Sequence, residues 1–145
     1  MSRPSGGRPY AVVAAVAAGG AVGALARDAI ESALPANAGQ FPWMTLLINL
    51  SGSLVLGVVL TALSGSRPRH RWLRAALCIG VIGAYTTFST YVGEAVLLVR
   101  DHRAGTALVY VLSSVVAGVA AAWLGIGAAR AVLRDGERRR KEVVA

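Results

Sequence analysis

Residues Gly80–Glu94 read GVIGAYTTFSTYVGE and lie inside the apolar segment Leu73–Val99. A membrane-spanning helix needs about 20 apolar residues. This segment is longer, and hydroxyl side chains occupy its middle, at Thr86, Thr87, Ser89 and Thr90. Hydroxyl groups and glycines at this depth are tolerated where they face protein or water, because lipid cannot hydrogen-bond an opened backbone. The stretch therefore indicates either a broken helix that lines a polar path or a single kink whose hydroxyls bond their own backbone.

The remainder of the chain indicates a membrane protein. Of its 145 residues, 55% are hydrophobic and 15% are charged, and the mean hydropathy is +0.58. The apolar residues form four continuous blocks instead of following amphipathic spacing, and each block can cross a bilayer as a helix. We therefore predict an all-α membrane domain over residues 10–130, with four transmembrane helices of which the third is broken. The predicted spans are residues 10–30, 43–63, 72–99 and 106–129.

Basic segments flank the predicted membrane domain. Residues 1–9 are rich in Pro and Gly and are expected to be disordered, and residues 131–145 form a basic tail. The basic start, the apolar block and the small residues 24–26 would also suit a secretory signal peptide. Against that alternative, the glycines at 19, 20 and 23 favour a helix that packs closely on a neighbour. At the end of this span, Arg27 and Asp28 carry charges that could pair.

The distribution of basic residues predicts the orientation of the chain. With four spans, the N-terminus, the second link and the C-terminal tail share one side of the membrane, and that side carries twelve of the fifteen basic residues. Basic residues near spans favour the cytoplasm, so both termini are predicted to be cytoplasmic. This bias explains the net charge of +8 without a nucleic-acid partner. The twelve are Arg3, Arg8, Arg67, Arg69, Arg71, Arg74, Arg130, Arg134, Arg138, Arg139, Arg140 and Lys141.

The polar side chains inside the spans do not form an enzyme site. The sequence has no nucleophile–base pair, phosphate-binding loop or pair of carboxylates, so no catalytic activity is predicted. Thr45, Asn49 and Gly52 share one face of span two at helical spacing. Glu94 is the only acid well inside a span. A narrow stripe on span four consists of Tyr110, Ser114 and Gly118.

Each of these features also has a purely structural explanation. Asn49 could simply hydrogen-bond a neighbouring helix, Glu94 could be a protonated or hydrogen-bonded carboxyl group, and the stripe on span four could be ordinary packing. Taken together, however, neutral O–H and N–H donors and the positive ring edges of Phe88 and Tyr91 favour a small anion that must bind and leave quickly. A row of Asp or Glu residues, typical of a cation path, is missing. The residues alone do not identify the anion.

Three motifs make the chain similar to a known family. They are GGAVGALAR (Gly19–Arg27), NLSGSLVLG (Asn49–Gly57) and GVIGAYTTFSTYVGE (Gly80–Glu94), of which the third is the most specific. With them the chain resembles the Fluc/CrcB fluoride channels, four-span proteins of the bacterial inner (plasma) membrane that export fluoride passively and confer fluoride resistance. The resemblance runs through all four spans. It implies an antiparallel, dual-topology dimer with two pores along the subunit interface.

The resemblance also implies roles for single residues. Asn49 matches the asparagine that donates to fluoride, Phe88 matches the first phenylalanine facing the ion, and Tyr91 stands where a second phenylalanine is usual. A structural sodium ion at the dimer interface would be bound by the backbone carbonyls of Gly83 and Thr86. Arg27 would lie at the vestibule. The whole expected fluoride pathway is Thr45, Asn49, Phe88, Ser89, Thr90, Tyr91, Glu94, Tyr110 and Ser114.

The sequence departs from the family pattern at Asp28, Leu54 and Gly118, none of which belongs to the pore asparagine or to the Thr-Thr-Phe-Ser-Thr core. The twelve-to-three distribution of basic residues has a further consequence, since an antiparallel homodimer needs nearly balanced links. We therefore expect a heterodimer with an oppositely oriented homologue. One alternative function is a small multidrug exporter, which needs an acid inside span one, where this chain has none before Asp28. Another is a non-transporting assembly subunit, which would leave the clustered donors unexplained.

Overall fold

The computed structural model describes residues 9–33, 40–64 and 71–144. Residues 1–8, which belong to the N-terminus expected to be disordered, lie outside the described residues, as do residues 34–39, 65–70 and 145. Within the described part, every regular element is a helix. The first two are α1 (Pro9–Ala33) and α2 (Trp43–Ala62), and the last two are α4 (Phe88–Arg100) and α5 (Ala104–Val144). Between them, α3 joins Arg71–Ala75, a π-helical stretch Ala76–Ile82 and a final turn Gly83–Tyr85.

Four stretches of these helices are long and apolar enough to cross a membrane, which confirms the predicted all-α, four-span architecture. Large apolar side chains such as Val116 (69% exposed) and Trp123 (74% exposed) cover the outside of the chain. In water such a surface would drive aggregation, whereas in a bilayer it faces lipid or another membrane helix. The four stretches are Tyr10–Ala33, Trp43–Ala62, Trp72–Arg100 and Ala104–Gly136.

Two helices extend beyond the predicted spans. We predicted ends at residues 30 and 129, but α1 continues to Ala33 and α5 continues to Val144. Arg, Glu, Leu and Ala are good helix formers, so the helix does not stop where the apolar block stops. The suggested pairing of Arg27 with Asp28 is wrong, because adjacent residues on a helix do not face each other. Arg27 Nε instead lies 3.8 Å from Glu31 Oε1, one turn further along α1.

The third span is broken, as predicted, and the break consists of Thr86 and Thr87. Both residues are extended, with φ −76° and ψ 157° at Thr86 and φ −140° and ψ 122° at Thr87. The Ile82 carbonyl accepts from both the N–H and the hydroxyl of Thr86, each at 3.0 Å, at the end of α3. The Thr87 hydroxyl accepts from the Thr90 N–H at 3.1 Å and so caps the start of α4.

Glycines let the helices approach closely in two pairs, α1 with α3 and α2 with α5. A β-carbon on Gly19 of α1 would lie 2.5 Å from the Ala76 carbonyl oxygen of α3, and one on Gly125 of α5 would overlap the Leu54 carbonyl oxygen of α2. Small residues at crossings allow membrane helices to gain van der Waals contact along their backbones. The two pairs meet because α2 also contacts α3. Since α2 contacts α4 as well, it lies beside the break between α3 and α4.

Candidate functional site

Asn49 on α2 is bonded to the break through both ends of its carboxamide. Its Oδ1 accepts from the Thr87 backbone N–H at 2.9 Å, and its Nδ2 donates to the Thr87 carbonyl at 3.0 Å. We call these two hydrogen bonds the Asn49 clamp. The residue at position 52, one turn further along α2, must be small, because a β-carbon on Gly52 would overlap Cγ2 of Thr86. The clamp thus gives the Thr87 N–H an acceptor, which in a continuous helix would be the carbonyl four residues earlier.

A cavity of about 300 Å³ opens beside the clamp. It brings together four residues of the predicted pathway from three helices, namely Asn49, Phe88, Tyr91 and Ser114. The Phe88 side chain is 78% exposed, and its ring centroid lies 5.8 Å from that of Tyr91. The other lining residues were not assigned to the pathway, although the hydroxyl-bearing ones gave a signal as polar residues within spans and Gly52 gave one by sharing a face of span two with Asn49. These others are Gly52, Ser53, Leu56, Ile82, Thr86, Thr87 and Val115.

Three further predicted residues meet in a hydrogen-bonded cluster around Glu94. Thr45 Oγ1 on α2 donates to Glu94 Oε1 at 2.8 Å, and the Tyr110 hydroxyl on α5 donates to Glu94 Oε2 at 2.8 Å. Tyr110 is completely buried, and the Phe41 ring lies edge-on to it, with 5.5 Å between centroids. Each carboxylate oxygen therefore has a donor from a different helix, so the intramembrane acid also joins α2, α4 and α5.

We predict that Tyr110→Phe lowers the free energy of unfolding by about 1–2 kcal/mol, because it leaves one Glu94 oxygen without its donor. In a Glu94→Leu background the same substitution should cost less than about 0.5 kcal/mol, since the tyrosine hydroxyl has already lost its acceptor. SDS titration of the purified protein measures both steps. Tyr91→Phe is the control, because the Tyr91 hydroxyl donates to the Val111 carbonyl at 3.3 Å and not to Glu94. Its cost should therefore be the same in both backgrounds. Equal Tyr110→Phe costs in the two backgrounds would show that the contact with Glu94 contributes nothing.

Comparison with known proteins assigns a family to this architecture. The family model described as "CrcB-like protein, Camphor Resistance (CrcB)" matches residues 14–126. The chain belongs to the CrcB-like family. It is 44% identical over 131 residues to the Fluoride-specific ion channel FluC 1 of Streptomyces coelicolor, an alignment covering 90% of this chain and 85% of that protein.

Two more relatives of this CrcB-family chain carry the same functional name. The Fluoride-specific ion channel FluC 2 of Thermobifida fusca is 35% identical over 132 residues, covering 91% of this chain and 98% of the relative. The Fluoride-specific ion channel FluC 2 of Nocardia farcinica is 36% identical over 132 residues, covering 90% of this chain and 94% of the relative. These findings do not support the small multidrug exporter that we considered as an alternative.

Three more predicted site residues of the CrcB-family chain belong neither to the lining of the cavity nor to the cluster around Glu94. Ser89 and Thr90 are exposed on the first turn of α4, where their hydroxyls are 3.4 Å and 2.9 Å from Thr87 Oγ1. Arg27 lies on α1, where it pairs with Glu31. The pathway role of the two hydroxyls and the vestibule role of the arginine stay predictions.

The break also offers oxygen atoms of the kind that a sodium ion needs. In a continuous helix, the Gly83 carbonyl would accept from the Thr87 N–H, and the Thr86 carbonyl would accept from the Thr90 N–H. Here those two N–H groups donate to side chains, to Asn49 Oδ1 and to Thr87 Oγ1. Both carbonyls have therefore lost their helical donors, and carbonyls of unwound membrane helices are typical sodium ligands. The two residues predicted to hold a structural sodium ion fit that role.

Proposed function

We propose that this CrcB-family chain is a fluoride channel that lets fluoride leave the bacterial cytoplasm passively and so confers fluoride resistance. The observation that supports this most is the cavity beside the break, where a carboxamide, aromatic rings and hydroxyl groups converge. The names of the relatives at 35–44% identity point to the same ion. The proposed place of the channel is the inner membrane, with both termini in the cytoplasm.

The lining supplies moderate donors for a small anion. The Asn49 amide nitrogen carries two hydrogens, of which the clamp uses one, so the other can donate to fluoride. The Tyr91 hydroxyl donates to the Val111 carbonyl, so the part of Tyr91 that is left to face the ion is its ring edge. The phenylalanine that is usual at this position in the family would present the same edge. Neutral donors and ring edges replace water around the ion without the strong binding that an interior Lys or Arg would cause.

A second subunit in the opposite orientation would complete the pathway. Phe88 is 78% exposed in the single chain, and an aromatic ring beside a polar cavity is suited to a helix interface. Within such a dimer, the carbonyls of Gly83 and Thr86 from both subunits would hold the structural sodium ion. That ion would supply a positive charge between the breaks of the two subunits. The surrounding residues would position the carbonyl groups that bind it.

The proposal is tested by fluoride efflux from liposomes that contain the purified protein, alone and with a homologous chain from the same cell. We expect fluoride efflux and no chloride efflux, because a strongly hydrated small anion needs the close donors that the cavity provides. The matched control is protein-free liposomes of the same lipid. Proton-coupled movement of a cationic drug, without fluoride efflux, would contradict the proposal.

The charge bias further supports a heterodimer. Twelve of the fifteen basic residues lie on one predicted side of the membrane, and basic links resist translocation. Reporter enzymes fused after residue 145 should therefore give an almost wholly cytoplasmic signal. The matched control replaces Arg138, Arg139, Arg140 and Lys141 by glutamine, which should increase the external fraction. A substantial external fraction for the unmodified chain would instead favour a homodimer.

A further inference from the structure

The Asn49 clamp ties the carboxamide to a single peptide unit. Its two hydrogen bonds, of 2.9 Å and 3.0 Å, go to the N–H and the carbonyl of the same residue, Thr87. A contact meant only to place an amide near an ion would need one of them. The pair instead resembles the contact between two antiparallel strands, in which one residue uses both its N–H and its carbonyl to bond the residue opposite. Here the carboxamide of Asn49 takes the place of the opposite residue. The geometry therefore fixes the backbone of Thr87 as firmly as it fixes the side chain of Asn49.

The clamp competes directly with the helix. The Thr87 N–H has two possible acceptors, the Gly83 carbonyl four residues earlier and Asn49 Oδ1 on the neighbouring helix. In the structure the N–H goes to Asn49. Without that acceptor, a buried N–H would need another partner, and the Gly83 carbonyl is the one that a helix provides. The clamp thereby keeps the Gly83 oxygen out of a helical hydrogen bond.

We propose that Asn49 is a positioning residue for the sodium-binding carbonyls, in addition to its contact with the anion. It holds the third span broken and leaves the Gly83 carbonyl available to the cation. This inference rests on the proposed fluoride channel with its structural sodium ion. Its new content is that one side chain serves both ions, so that damage to Asn49 weakens sodium binding even when no fluoride is present.

The test measures sodium binding through stability, separately from fluoride flux. A ligand that binds only the folded protein raises its unfolding temperature with concentration. The full-length protein, purified in detergent with N-methyl-D-glucamine as the only cation, is therefore titrated with sodium in the absence of fluoride. In Asn49→Ser the side chain is too short for either bond of the clamp. Asn49→Ala removes the carboxamide altogether, and with it both hydrogen bonds to Thr87.

We expect both variants to need at least ten times more sodium than wild type for half of the maximal stabilisation. The matched control is Ser114→Ala, which lines the same cavity but whose hydroxyl donates to the Tyr110 carbonyl at 2.7 Å. This control should keep the wild-type sodium response.

Three outcomes would contradict the inference, and they differ in what else they overturn. If either Asn49 variant keeps the wild-type sodium response and loses fluoride efflux, Asn49 acts on the anion alone and the channel proposal stands. If wild type itself shows no sodium response but conducts fluoride, the sodium site and this inference both fail. If wild type neither responds to sodium nor conducts fluoride, the channel proposal fails with them. Should one variant not purify, the other decides.

Discussion

Fluoride efflux through the Asn49→Asp channel will be at least about 100-fold slower than through wild type. A hundredfold loss corresponds to about 2.7 kcal/mol added to the barrier. Two changes contribute to it, because aspartate removes the amide hydrogen that faces the ion and sets a carboxylate oxygen on the path of an anion. Like charges in a partly desolvated site repel strongly, since the low local dielectric screens them little. The measurement is the initial rate of fluoride efflux from liposomes at equal protein density.

The matched control for this prediction is Ser51→Ala on the same helix. Ser51 is exposed, and its hydroxyl contacts the Ile48 carbonyl and the Tyr85 hydroxyl, without lining the cavity. Its removal should leave the efflux rate within about twofold of wild type, because the Ser51 hydroxyl does not line the cavity and the variant changes no group proposed to contact the ion. Equal rates for Asn49→Asp and Ser51→Ala would remove Asn49 from the conduction pathway.

Gly125→Leu will prevent the chain from yielding a stable folded protein. A β-carbon at this position overlaps the Leu54 carbonyl oxygen and approaches the Val58 nitrogen at 3.1 Å. Those are backbone atoms, so no rotamer change can relieve the overlap and α2 must move away from α5. Overpacking a tight contact costs about 1–3 kcal/mol when side chains can adjust, and here we expect more than about 3 kcal/mol. Size-exclusion chromatography after detergent extraction should show aggregate in place of a single peak.

Gly127→Leu is the control for this substitution, two residues further along the same helix. A β-carbon there meets nothing within 4 Å, and leucine forms helices better than glycine by about 0.8 kcal/mol. This variant should therefore elute as wild type does and be at least as stable. If Gly125→Leu also elutes as a single wild-type peak, α2 and α5 do not cross as closely as the structure has them.

The sequence predicted the spans and the break because both depend on features that lie along the chain. Apolar blocks are read directly from composition, and the hydroxyl-rich middle of the third span is visible without a structure. The partners of Asn49 and Glu94 could not be predicted in the same way. Spacing places Thr45 and Asn49 on one face of α2, but it does not fix the rotation and height of α2 against α4 and α5. Those depend on glycine contacts between helices that are far apart in sequence, such as Gly125 with Leu54.

The ends of the helices were predictable only where the polarity of the chain changes. The helical tail to Val144 was missed because a charged sequence can be helical without being a span. The π-helical stretch Ala76–Ile82 was missed because no residue type specifies it. It lies against α1, where a β-carbon on Gly80 would be 2.6 Å from the Val16 carbonyl oxygen. Such local geometry follows from the packing of two backbones and leaves little trace in either segment alone.

The break in the third span brings two helix termini of opposite polarity to the same depth in the membrane. The aligned peptide dipoles of α3 leave partial negative charge at its last residue, Tyr85, and those of α4 leave partial positive charge at its first residue, Phe88. Only Thr86 and Thr87 separate these poles. An uninterrupted helix would expose the same two poles at opposite faces of the bilayer, where water and salt screen them. Two residues of extended backbone thus give the interior one pole that attracts cations and one that attracts anions.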